Sequence, residues 1–265
     1  MADDALKPLL RWAGSKQRLI PSLLERLPNK FDRYIEPFVG SASLFFAIKP
    51  KKSLLSDVNP DLVNFYTQVR TDAERLHQRL NAMSIDELTY LKVRRKFSVE
   101  EDLFIRALYF WYLNRCCFNG LYRTNGSGIF NVPFGSKLPS IPTRQGVLDC
   151  VRQLKKSRII CSDYKVAMAK AKGGDFIYVD PPYSRGGGRS SGEYGLGAMQ
   201  DSEMGELLEL IRQASGRGAQ VLLSYNADLS HELPGWQSEI LRGRYLISAD
   251  PSRRKAIQEF TFKNY

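Results

Sequence analysis

Asp180-Pro181-Pro182-Tyr183 places a carboxylate, two rigid residues and an aromatic ring in succession. These types suit one chemical task, which is holding a flat, poorly nucleophilic amine against an electrophilic methyl group. The exocyclic amine of adenine or cytosine is conjugated with its ring, so its lone pair is a weak nucleophile. The Asp180 carboxylate and the Pro181 carbonyl could accept both amine hydrogens. That would return electron density to nitrogen and align its lone pair. The prolines fix φ and remove a competing donor, which aims the Pro181 carbonyl, and Tyr183 offers a stacking face. The plain alternative is a Pro-Pro turn that closes a strand, with Asp180 capping the turn.

The flanking elements place this tetrapeptide. Phe176-Ile177-Tyr178-Val179 reads as a buried strand, and Ser184 to Gly197 is a glycine-rich stretch able to close over a bound base. In an open α/β sheet, ligands bind at such carboxyl strand ends. Upstream, Leu9 to Lys16 is a loop leading into a helix over 17–27. A strand ending at Tyr34-Ile35 runs through Glu36-Pro37-Phe38-Val39-Gly40-Ser41-Ala42-Ser43 into a helix over 44–48. A second strand, 53–56, ends at Asp57. The acid follows Gly40 at about the spacing at which dinucleotide folds hold a ribose.

Further strands are predicted at 158–161 and 220–224, with an antiparallel pair at 238–241 and 258–262. Between Asp61 and Phe110 the apolar period is helical, as in Leu62-Phe65-Tyr66-Val69 and Leu103-Ala107-Phe110-Trp111. The fold class is therefore α/β: a Rossmann-like sheet, discontinuous over 1–60 and 145–265, interrupted by a mainly helical insert over 61–144.

Composition narrows the partners. Lys and Arg outnumber Asp and Glu by 39 to 28, a net charge of +11. At 28 acids in 265 residues about five would fall between Leu103 and Leu148, yet that stretch has none. It carries Arg106, Arg115, Arg123, Lys137 and Arg144 interleaved with Phe110, Trp111, Tyr112, Phe118 and Tyr122, a mixture suited to phosphates and bases. Leu103 to Leu113 reads as a buried helix, whereas the segment after Asn114 looks too polar for a core. No apolar run reaches the roughly 20 residues of a membrane helix, and the acidic start, Met1 to Asp4, lacks a signal-like stretch. Four cysteines without Cys-x-x-Cys spacing and two histidines argue for reduced thiols, a cytoplasmic protein and no metal site.

Six segments occur in a telling order: Trp12-Ala13-Gly14-Ser15-Lys16, Glu36 to Ser41, Ser56-Asp57-Val58-Asn59, Asn114-Arg115 with Phe118 to Arg123, Phe130 to Gly135, and Asp180 to Tyr183. The chain resembles a Dam-type DNA adenine-N6 methyltransferase, of the α group of amino-methyltransferases (D12 class), from residue 9 almost to the C terminus. The resemblance implies S-adenosylmethionine as methyl donor, held by Trp12, Lys16, Phe38, Gly40, Asp57, Asp163 and Asp180. It implies catalysis at Asp180, Pro181, Pro182 and Tyr183.

It also implies that the insert carries a DNA-reading β-hairpin. Arg123 would contact a guanine, Leu121 and Pro133 a thymine methyl or neighbouring base, and Arg11 the first base. Phe118 and Asn119 would fill the gap left by an extruded adenine. Family members commonly target GATC. Double-stranded DNA is the implied partner of a monomer or weak dimer, with no obligate protein partner. One departure from the pattern stands out: the second glycine of Phe-x-Gly-x-Gly is Ala42. Direct transfer needs no covalent enzyme intermediate, so Cys116 and Cys117 should be dispensable. Related motifs also serve cytosine N4, RNA or a glutamine amide, and a DNA-binding regulator without catalysis is a further alternative. A nucleotide hydrolase is disfavoured, because no Gly-Lys-Ser/Thr phosphate loop is present.

Overall fold

The computed structural model describes residues 6–136, 140–182, 199, 201–243 and 257–265. Tyr183, the Ser184 to Gly197 stretch and Lys137 lie outside the described residues. Five strands are parallel: β1 (Arg33–Glu36), β2 (Ser53–Asp57), β3 (Ser157–Cys161), β4 (Asp175–Val179) and β5 (Gln220–Tyr225). Two more, β6 (Gln237–Gly243) and β7 (Ile257–Lys263), form an antiparallel pair, with β7 against β5. The sheet order is β3-β2-β1-β4-β5-β7-β6. The direction of progression reverses between β1 and β4, so their carboxyl ends flank a crevice, the place where such sheets bind ligands.

Period-2 alternation divides the strands between two cores. Tyr34, Leu55, Phe176, Tyr178 and Leu222 face one side, while Ile35, Leu54, Ile177, Val179 and Leu223 face the other. The first core continues through Phe45, Phe65 and Trp111 to Phe130. The helices of 61–116 thus share one hydrophobic core with the sheet. They are α3 (Pro60–Asn81), α4 (Glu87–Phe97) and α5 (Leu103–Cys116), preceded by α1 (Ile20–Leu24) and α2 (Ser43–Ile48) and followed by α6 (Arg144–Leu154), α7 (Tyr164–Ala169) and α8 (Asp201–Gly216). Asn59, Asp86 and Asp102 cap α3, α4 and α5 by accepting from backbone N–H groups two to three residues on.

The structure corrects several expectations. The helix expected over 17–27 is a 3-10 turn at Gln17–Leu19 followed by α1, because Pro21 is tolerated only in a first helical turn. The polar segment after Asn114 does enter the core: Asn114, Arg115, Tyr122, Phe130 and Val132 are buried. Leu103, by contrast, is exposed. The expected hairpin is reduced to two isolated antiparallel bridges, Thr124 with Phe130 and Cys117 with Phe134. Pro133 has no N–H to extend the ladder.

Candidate active site

The chain leaves β1 through Glu36 and turns at Gly40, whose φ of +43° lies in the left-handed region. An added Cβ there would sit 2.9 Å from Trp12 Cδ1. Gly40 is thus required twice, for its backbone angle and to let the indole lie on the loop. Asp57, at the end of β2, ties the turn down: one carboxylate oxygen accepts from Gly40 N–H at 3.1 Å, the other from Asn59 N–H at 3.0 Å. Tyr66 on α3 donates to the Gly40 carbonyl at 2.8 Å. Ala42 occupies αL (φ 55°, ψ 33°) where the family pattern has glycine, and it is fully buried.

The resulting cavity is lined by Trp12, Lys16, Phe38, Gly40, Asp57, Asp180, Pro181 and Pro182. Eight residues singled out from the sequence therefore converge, although they are spread over 170 positions. Three further groups line the same cavity. Ser15, Ser41 and Ser43 interlock through hydroxyl contacts of 2.8–3.0 Å. Tyr178 donates to Ser224 at 3.2 Å. Glu36 is buried, and its Oε2 has no hydrogen-bond partner among the described residues.

Charge inside the cavity is unevenly compensated. Lys16 is 6% exposed and pairs with Asp180 at 3.0 Å and Glu259 at 3.2 Å, while also donating to the Gly14 carbonyl at 3.3 Å. Burial alone would lower its pKa, but the two carboxylates outweigh that and raise it. Burial drives Glu36 well above the usual carboxylate range, with Asp180 and Asp57 adding to the effect. Burial also lifts Asp57 to about 6, against the pull of its backbone N–H partners. The cavity thus gathers three carboxyl groups, Glu36, Asp57 and Asp180, around one ammonium, that of Lys16.

Asp163 does not join it. Its side chain caps α7, accepting from Lys165 N–H at 2.9 Å. Burial pushes the thiols of Cys116 and Cys117 up to about 11 and 12, so neither is a ready nucleophile.

Arg11 and Trp12 are held against α5. Asn114 accepts from Arg11 N–H at 2.9 Å and donates to the Arg11 carbonyl at 2.6 Å. Trp111 Nε1 donates to the Leu9 carbonyl at 3.2 Å. Gly120, at φ +66°, lets Arg11 lie directly on the loop that comes after α5, where a Cβ would fall 2.3 Å from Arg11 Cβ. That loop runs from Phe118 through Leu121 and Arg123 to Pro133. Phe118 N–H donates to the Pro133 carbonyl at 2.9 Å and Arg123 Nε to Asn131 Oδ1 at 2.8 Å. Phe118, Asn119, Arg123 and Pro133 are exposed, Arg11 and Leu121 half-buried.

Behind the loop, Tyr122 stacks on Trp12 with ring centroids 5.6 Å apart and donates to Asp61 at 2.9 Å. Arg106 forks onto the same Asp61 carboxylate. The basic-aromatic segment therefore splits. Arg106, Arg115, Phe110, Trp111 and Tyr112 serve the core, Arg144 pairs with Glu74, and Arg123 faces solvent.

Sequence reasoning gave no role to Asn114, Tyr66, Glu36 or Glu259. Glu36 and Glu259 carried a weak signal, each being the one acid within its own strand. Asn114 and Tyr66 carried none, because their partners lie far away in sequence.

A glycine turn after β1, an acid ending β2 and Asp-Pro-Pro ending β4, all at the reversal point of a 3-2-1-4-5-7-6 sheet, define a Rossmann-like methyltransferase. The model of the D12 class N6 adenine-specific DNA methyltransferases matches residues 12–247, and the chain belongs to that family. It is an adenine-specific DNA methyltransferase, with DNA as substrate and a methyl donor as co-substrate. The chain is 33% identical to the type II methyltransferase M.MjaIII of Methanocaldococcus jannaschii, covering 98% of this chain and 99% of the relative. It is 32% identical to a DNA adenine methylase of Vibrio cholerae, covering 96% and 94%. To the Lactococcus lactis type II methyltransferase M1.LlaDCHI it is 31% identical, covering 98% and 96%. None of the described helices is long and apolar enough to cross a membrane.

Proposed function

We propose that this chain transfers a methyl group from S-adenosylmethionine to N6 of an adenine turned out of duplex DNA, within GATC. The observation that carries the reading is the shared cavity: the Asp180-Pro181-Pro182 segment and the glycine turn line one space. The donor set fits the cofactor's chemistry, since S-adenosylmethionine bears an ammonium and a sulfonium and the cavity offers Glu36, Asp57 and Asp180. When bound, it supplies a methyl carbon with a good leaving group.

The protein's own residues do the rest. Asp57 would accept from the ribose hydroxyls, Trp12 and Phe38 would pack the adenosine, and Glu36 would accept from the ammonium. The Asp180 carboxylate and the Pro181 carbonyl would accept the two hydrogens of the target amine, with Tyr183 stacking on its ring. The nitrogen becomes cationic as it attacks, so its proton can leave afterwards and no strong base is required. Unstacking the base costs a few kcal/mol, offset by that stacking and those two bonds.

The 61–144 unit would read the sequence through the Phe118 to Pro133 loop and Arg11. A monomer or weak dimer suffices, because each strand of a palindrome can be methylated in turn. Mapping methylated bases in plasmid DNA from cells expressing the protein tests the reading. N6-methyladenine in GATC is expected. N4-methylcytosine would overturn the base assignment, and N6-methyladenine in another context would overturn only the target sequence.

A further inference from the structure

We infer that Glu259 is a positioning residue for methyl transfer, acting on Asp180 through Lys16. The inference rests on the role proposed for Asp180. Glu259 lies on β7, paired with Leu241 of β6, and is 2% exposed. Its strand neighbours Phe260 and Phe262 pack into the second core. A hydrophobic residue at 259 would serve such a strand without the cost of desolvating a charge. The carboxylate instead reaches Lys16, which stands 243 residues earlier, at 3.2 Å, while Lys16 reaches Asp180 at 3.0 Å.

The chemistry of sharing explains the arrangement. An ammonium has three donors, and the described partners of Lys16 are Asp180, Glu259 and the Gly14 carbonyl. With Asp180 as sole ionic partner, the buried cation would draw that carboxylate's electron density toward itself and blunt it as an acceptor. Division between two carboxylates weakens this hold while still fixing the position of Asp180. The three groups also carry one net negative charge. The attacking amine acquires positive charge in the transition state, so fixed negative charge there favours transfer more than it favours ground-state binding. Lys16 is then a strut between two strands in addition to any contact with the cofactor.

Single-turnover methylation of a cognate duplex, with cofactor and DNA affinities measured separately, tests the inference on the full chain. Glu259→Gln should slow the transfer step by roughly tenfold or more, with both affinities and the melting temperature close to wild type. Glu259→Asp, which keeps the charge one methylene further back, should recover part of the rate. In a Lys16→Met background Glu259→Gln should cost less than it does in the wild type, since its path to Asp180 through Lys16 is cut. A wild-type transfer rate in Glu259→Gln would overturn the inference, as would a loss confined to affinity. If Glu259→Gln does not fold, the aspartate variant decides: a slower transfer step at unchanged affinity supports the role, and a wild-type rate overturns it. Asp180→Ala separates the two readings. Turnover surviving in that variant sinks the role of Asp180 itself, whereas an inactive Asp180→Ala beside a fully active Glu259→Gln sinks only the role of Glu259.

Discussion

Around Asp180 the chain is closed: Lys16 is 6% exposed, Glu259 2%, and Ser15, Ser41 and Ser43 bond one another. Around Arg123 it is open. Residues 125–129 are all exposed, and among the described residues the guanidinium bonds across its own loop, to Asn131. The difference matches the roles proposed for the two regions. Methyl transfer needs groups aimed before the substrate arrives, so strand ends and buried ion pairs hold them. Reading a duplex needs side chains that can enter a groove, and the exposed ones stand on a loop tied by the Phe118–Pro133 backbone bond and anchored to the core through Tyr122, Phe130 and Val132. The link between the two is Tyr122, stacked on Trp12 on one side and bonded to Asp61 on the other.

The sharpest break in this contrast is Asp180→Ala. Turnover should fall beyond detection while the affinity for duplex DNA stays within a few-fold, as read by methyl incorporation beside a binding titration. Arg123→Ala should do the reverse. Discrimination against a wrong base at its position should fall by about 1–3 kcal/mol, more than binding to random sequence, measured by competition between cognate and altered duplexes. An equal loss on all sequences would place Arg123 on a phosphate.

Gly40→Ala acts inside the closed region. It forces a side chain into αL, at a cost of about 1–2 kcal/mol, and drives a Cβ into the Trp12 ring. Cofactor affinity by isothermal titration should drop tenfold or more with DNA binding retained.

Asp57 sets a pH dependence on that same affinity. Its pKa is raised to about 6, and only the carboxylate form accepts from two hydroxyls. Affinity should be flat above pH 7 and fall as pH drops through that value, to about one-tenth at pH 5. Asp57→Asn should bind weakly at every pH, without the limb. The smallest effect belongs to Ala42→Gly. Relief of αL strain is set against the loss of a buried methyl worth about 0.8 kcal/mol, so the melting temperature should move by no more than about 3 °C.

The strands were legible in the sequence because they are short, apolar and punctuated. β4 is a run of five buried residues, and β2 ends on the acid its spacing marked. The cavity residues were legible because each lies at a strand end or a glycine turn, where local chemistry restricts the choice of residue. The loop proposed to read DNA was half legible. Arg123 and Phe118 are exposed as a contact role requires, but a composition free of acids did not reveal that Arg106 and Arg115 are structural. Charge on a helix looks the same in sequence whether it meets solvent or, like Arg106, a partner 45 positions away.

By itself the sequence determined the α/β class, the order of the motifs and the local devices, namely prolines that rigidify residue 181 and its neighbour and a glycine turn after the first strand. These depend on backbone angles and periodicity, which act between near neighbours. Only the tertiary structure decided the charge state of the site. Lys16 comes from the first loop, Asp180 from the end of β4 and Glu259 from the last strand, and they meet because the sheet reverses between β1 and β4 and returns through β7. Burial then makes each charge depend on the others, a coupling that distance in sequence conceals.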